Sequence, residues 1–144
     1  MSFRTLNDMA SDLKTMLDQS GKVKEVRLAA ITSYEQLQDI IPVLGKLPAA
    51  VVCFGVGDFG KDADVKNVQP GILLVDNLES SAEKKALGIW KVLDDVAELF
   101  VPKKGARSAV NMNGVIYLPD SFRPVVCQKS SSAYLLVLKT QQSF

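Results

Sequence analysis

Two short runs, Ala49–Phe54 (AAVVCF) and Ile72–Asp76 (ILLVD), the first wholly apolar and the second apolar up to its closing aspartate, constrain this chain more than any other feature. Each is too short for a packed helix; the first is rich in valine and the second in isoleucine and leucine. Runs of this kind are strands buried on both faces, at the centre of a covered sheet. The rest of the chain has to supply the cover.

Two amphipathic segments answer that need. In Thr5–Ser20, Leu6, Met9, Leu13, Met16 and Leu17 recur at helical spacing, while Asp8, Asp12, Lys14 and Asp18 lie mostly off the stripe. Thr5 is placed to cap the start, with Asp8 in the first turn, and Ser20-Gly21 supplies the stop. Ser81–Phe100 is the stronger helix. Ser80-x-x-Glu83 forms a capping box before it, and Ala86, Trp90, Leu93, Val96, Ala97 and Phe100 form its apolar face. Lys84, Lys85, Lys91, Asp94, Asp95 and Glu98 lie on its wet face, and Pro102 ends it.

The remaining segments read as strands and turns. Val23–Ile31 is an imperfectly alternating strand. Ser33-x-x-Gln36 opens a short helical turn, Tyr34–Ile41, that Pro42 ends. Gly55–Gly71 is a long polar loop. Ser108–Asn113 is a strand or an extended arm, followed by a strand at Gly114–Leu118 and a turn at Pro119–Pro124 (PDSFRP). Val125–Lys129 is a further strand, Ser130–Ser132 a turn, and Ala133–Thr140 the last strand. Helices are too few for a doubly wound sheet. The expectation is a single α+β domain over residues 1–144, with a mixed, mostly antiparallel sheet and two main helices packed on one face.

Composition narrows the function. The chain has 144 residues, with 17 Lys+Arg against 16 Asp+Glu, for a net charge of +1. That balance argues against direct sequence-specific nucleic-acid binding, which needs a basic face. With no histidine there is no Ser-His-Asp or Cys-His catalysis. Cys53 and Cys127 form no CxxC pair, which argues against zinc. Both sit in apolar runs and read as small buried hydrophobes in a reducing compartment, although a disulfide between neighbouring strands stays open on sequence alone. The longest near-apolar run, Leu47–Gly57, falls short of the ~20 residues a spanning helix needs. A soluble intracellular chain with no membrane partner, no cofactor and no metal is expected, and not an enzyme.

Three motifs invite a sharper reading. Gly55-Val56-Gly57-Asp58-Phe59-Gly60 is a literal GxGxxG after a buried strand, with Asp76 ending the next strand. A dinucleotide site also needs a helix starting at the second or third glycine. The charged stretch Lys61–Gln69 has no room for one, so a hairpin-like or extended loop is expected. A small-ligand or nucleotide-binding domain using this turn is kept as the alternative function. Asp58, Asp62 and Asp64 lack calcium-loop spacing, and the interleaved Lys61 and Lys66 favour a solvated loop. Lys103, Lys104 and Arg107 form the one basic patch. No catalytic constellation is expected.

Taken in order, the amphipathic helix, the strand, the Leu47-Pro48-Ala49-Ala50-Val51-Val52 lead-in to a buried strand, the polar loop, the strand ending in aspartate, the long capped helix and the closing hairpins form a pattern. It resembles the tail terminator (tail-completion) proteins of long-tailed bacteriophages and the related minor tail proteins of Mu-like prophages. The resemblance covers nearly all of Thr5–Thr140 and rests on order, length and the LPAAVV lead-in. It implies a mixed sheet with helices packed against it, and a virion tail component assembled in the bacterial host cytoplasm. It further implies a hexameric ring on the head-proximal end of the tail tube. That ring would stop tube polymerisation and present a docking surface to the head-completion or neck protein. Another neck or baseplate component of the same particle is the neighbouring alternative. The segments matching the family's variable loops are Gly55–Pro70 and Pro102–Asn113. The residues expected to mediate assembly are Asp58, Lys61, Asp62, Asp64, Lys66, Lys103, Lys104 and Arg107, through charged loops and sheet edges and without a greasy patch.

Overall fold

The computed structural model describes residues 5–30, 36–55, 57–59, 65–66, 68–77, 82–101, 110–125 and 131–142. The elements in chain order are α1 (Leu6–Ser20), β1 (Glu25–Leu28), α2 (Leu37–Ile40), β2 (Ala49–Phe54), β3 (Asp58–Phe59), β4 (Val65–Lys66), β5 (Pro70–Asn77), α3 (Ala82–Glu98), β6 (Val110–Met112), β7 (Val115–Pro124) and β8 (Ser131–Gln142). Six strands form one sheet in the order β1-β2-β5-β8-β7-β6, and β3-β4 is a separate two-stranded ribbon. The β1/β2 pair is parallel and every other pair is antiparallel. The fold is α+β, on a mixed and mostly antiparallel sheet.

The continuous apolar runs lie at the centre of the sheet, as their composition requires. Along β2 and β5, alternate residues point to opposite faces and both sets are buried. Ala50, Val52, Ile72 and Leu74 join Met9, Leu13 and Leu17 of α1 and Ile89, Val92, Leu93 and Val96 of α3 in one core. Both main helices therefore cover the same face. On the other face Val51, Cys53, Leu73, Val75 and Leu135 meet Leu37 of α2 and Ile41 of the 3-10 turn Ile41–Val43 that continues it. Pro42 sits in the first positions of that turn and does not stop the chain there. Ser33 and Tyr34 lie outside the described residues.

The ends of α1 follow its sequence. The Thr5 hydroxyl accepts from the Asp8 backbone N–H at 3.1 Å, and the Asp8 carboxylate accepts from the Thr5 N–H at 3.3 Å, which is a capping box. Gly21 closes the helix in the left-handed region at φ 72°. Thr5→Ala is expected to cost about 1 kcal/mol of stability. Thermal unfolding followed by circular dichroism would detect this as a lowered midpoint.

Three readings of the last third are corrected, one of them the turn at Ser130–Ser132, where Ser131 and Ser132 begin β8 opposite Asn77 and Asp76. Pro119–Pro124 is not a turn. It is the second half of β7, paired with Leu138–Tyr134 of β8 across a bulge between Pro119 and Ser121. Proline deprives a central strand of a ladder bond. Here β6 pairs only with Val115–Tyr117. Among the described residues no strand lies against the outer edge of β7 beyond that point, so the missing N–H groups cost the sheet little. Val125 follows the end of β7 and is not a strand residue, and the rest of Val125–Lys129 falls outside the described residues. The segment left open as a strand or an arm contains β6. It is joined to β7 by the two-residue turn Asn113-Gly114, with φ of 54° and 90°. Both positions need positive φ in the tight turn that matches strand twist, which is why Asn-Gly serves here. The Asn113 side chain donates to the Asp12 carboxylate at 3.1 Å, tying this turn to α1.

Candidate interaction surface

The loop candidates come first. Gly57–Phe59 runs straight into extended backbone, where Asp58 stands opposite Lys66 in the β3-β4 register. The second glycine of GxGxxG thus opens a strand and not a helix, so the helix N-terminus that would hold a pyrophosphate is not formed there. A Cβ on Gly57 would approach Val68 at 3.1 Å, so this glycine makes room for the neighbouring chain. Asp76 is also wrongly placed for a ribose. Phe54, just before the glycines, pairs with Pro70, whereas Asp76 lies past the Ala49↔Val75 pair at the far end of β5. At ~3.3 Å per residue the acid is roughly 20 Å from the glycine turn. An antiparallel return puts at opposite ends of the sheet what a parallel crossover would bring together. Of the other expected assembly residues, Lys61, Asp62, Asp64, Lys103, Lys104 and Arg107 lie outside the described residues, as does Cys127.

The carboxylates of α3 divide. Asp95 is held by Lys91 at 2.7 Å, and the hydrogen bond to Asp95 raises the lysine pKa. Asp94 makes no ion pair with any described residue and faces a groove. Ser11 and Lys14 have the Ser-x-x-Lys spacing on α1, but Ser11 is exposed and Lys14 is engaged by Asp18 at 2.9 Å, so this pair gives no activated hydroxyl; Ser81 and Lys84 share the spacing, and Ser81 lies outside the described residues. Among the described residues there is no group of three or more potential metal-ligating side chains, and no helix is long and apolar enough to cross a membrane.

That groove is the feature the sequence reading missed. It lies between α3 and the outer half of β7 against β8, and encloses about 700 Å³. The wheel of α3 sets it up. Ile89, Val92, Leu93 and Val96 take the core-facing stripe, and this leaves Trp90 on the flank, 48% exposed and not in the core as its hydrophobicity suggests. Its indole Nε1 donates to the Tyr134 hydroxyl at 3.2 Å. Phe122, 63% exposed, stands opposite Leu136 on β8 and tilts at 51° to Tyr134, with ring centroids 6.2 Å apart. Three aromatic rings are thus gathered on one half-open surface, with the Asp94 and Asp120 carboxylates in the same wall. The expectation that no greasy patch remains outside the core is corrected by this arrangement. The usable signal was Phe122, a large aromatic in a polar stretch whose other members gave it no core to join.

No protein-family model matches the chain, and no curated protein matches it either.

Proposed function

We propose that the chain is a structural assembly protein of a phage or prophage tail, capping the head-proximal end of the tail tube as a hexameric ring. The observation that supports this reading is the aromatic face on which Trp90 and Phe122 are exposed beside the half-buried Tyr134. Clustered exposed aromatics on a small domain mark a surface that meets another molecule. The fold agrees with the mixed sheet and packed helices that the resemblance implies. In this reading the charged stretches 61–66 and 103–107 of the sequence supply the complementary, weak contacts of a head-to-tail ring that closes by rotation.

Sedimentation velocity tests this. A concentration-dependent equilibrium between monomer and a six-copy ring is expected, shifted toward monomer by salt, because exposed ion pairs contribute only about 0–1 kcal/mol each. Reversing the charges of Lys103, Lys104 and Arg107 together is expected to weaken the ring while circular dichroism stays unchanged. Added to polymerising tail tube protein, the ring is expected to shorten the tubes. A single species of fixed size at every concentration and salt level, or a dimer alone, overturns the proposal.

A further inference from the structure

The groove beside α3 has a chemical character of its own. Its walls are the rings of Trp90, Phe122 and Tyr134, its floor includes Leu136, and Asp94 and Asp120 sit in its wall. Among the described residues no lysine or arginine lines it, and neither carboxylate makes an ion pair with a described residue. Aromatic faces attract cations through the negative potential above the ring. The two carboxylates add charge of the same sign. Their combination rejects an anion, and water alone would leave the rings uncovered.

We infer that this groove docks a segment of a partner protein carrying a lysine or arginine flanked by apolar side chains. The cationic head is held among the three rings and balanced by Asp94 and Asp120. The flanking apolar residues cover the Leu136 floor. The volume favours a segment over a small free cation. Pockets for multi-group ligands run from about 300 to 1,000 Å³, and a lone ammonium group would leave most of the 700 Å³ empty. The inference rests on the same aromatic face as the tail reading and gives that face a partner protein as its occupant, so loss of the ring in sedimentation with peptide binding retained separates the two.

Trp90 is the only tryptophan in the chain, so its emission reports on this groove alone. The probes are blocked leucine–lysine–leucine and leucine–arginine–leucine tripeptides. The control is the norleucine counterpart, which has a similar carbon chain and no charge. A saturable emission shift is expected with both cationic peptides, with binding about tenfold weaker for norleucine. Raised salt should weaken the cationic peptides only. The double variant Asp94→Asn/Asp120→Asn should lose the discrimination, and Phe122→Ala should weaken all binding. Both sets of changes are on exposed side chains, and unchanged circular dichroism would show that the fold is kept. Equal binding of the norleucine peptide, or no saturable shift with any peptide, overturns the inference. So does tetramethylammonium binding as tightly as the peptides, which would identify a free-cation site. An emission shift on concentrating the protein alone, matched by association in sedimentation, would make a second copy the occupant and also overturn it.

Discussion

Leu74→Ala is expected to destabilise the protein by about 2–5 kcal/mol, and Leu73→Ala by a similar amount. Both side chains are fully enclosed. They are neighbours on β5 but serve different cores. Leu74 packs with α1 and α3, and Leu73 packs with α2 and the inner face of β8. The two are adjacent on one strand, inside the distance at which losses couple through the backbone, so the double variant measures that coupling as a departure from the sum of the single losses. At roughly 0.05–0.15 kcal/mol per residue the whole fold is worth about 7–20 kcal/mol, so the double variant consumes much of it. Urea unfolding reads this as a lowered midpoint at unchanged slope. A loss below about 1 kcal/mol at either position would mean that the corresponding face is open to solvent in solution. Unequal losses would rank the two covers.

The second large effect is alkaline. Burial pushes the Cys53 thiol from its ordinary value of 9.0 up to about 11, with a smaller opposing contribution from a backbone hydrogen bond at Gly71. A thiol harder to ionise when folded favours the fold as long as it is protonated. Below pH 9 both states hold the proton and nothing changes. Between about pH 9 and 11 the unfolded chain releases it while the folded chain keeps it, so stability falls as pH rises. A shift from 9.0 to about 11 corresponds to about 2–3 kcal/mol, lost progressively across that window. Lysines and tyrosines titrate nearby, so the comparison is with Cys53→Ala, whose unfolding lacks this contribution. The stability difference between the two proteins is expected to shrink across the window. A constant difference would show that the thiol is not protected, and a thiol reagent that modified the native protein rapidly at pH 8 would show the same.

What could be read from the sequence tracks how local the determinants are. The central strands announce themselves because a residue run that is apolar at every position has nowhere to sit except between two layers. The caps of α1 are readable because Thr5, Asp8 and Gly21 act on backbone groups within a few residues of themselves. Pro119–Pro124 misleads for the opposite reason. Proline, aspartate and serine are local turn formers, and only the distant partner β8 holds them extended. Asn113-Gly114 carried a local hairpin signal that went unused. The groove is the least legible part, because it depends on which apolar residue of α3 is left over once four others have taken the core. Hydrophobicity cannot rank Trp90 against Ile89 or Val92 without the helix being docked. The charged residues picked for assembly were chosen by composition, and of these only Asp58 and Lys66 fall on described strands.

The proline-flanked half of β7 has a further consequence, for solubility. A strand with an unshared edge is a template on which other chains can stack, and a stretch holding an exposed phenylalanine invites it. Pro119 and Pro124 remove two hydrogen-bond donors from that stretch, and the bulge beside Pro119 breaks the even spacing an incoming strand would need. Replacing both prolines with valine would restore the donors and raise β-propensity together. The native subunit would change little, and its tendency to form fibrous aggregates would rise. The segment thus keeps an adhesive side chain on display while denying the backbone the regularity that runaway stacking requires.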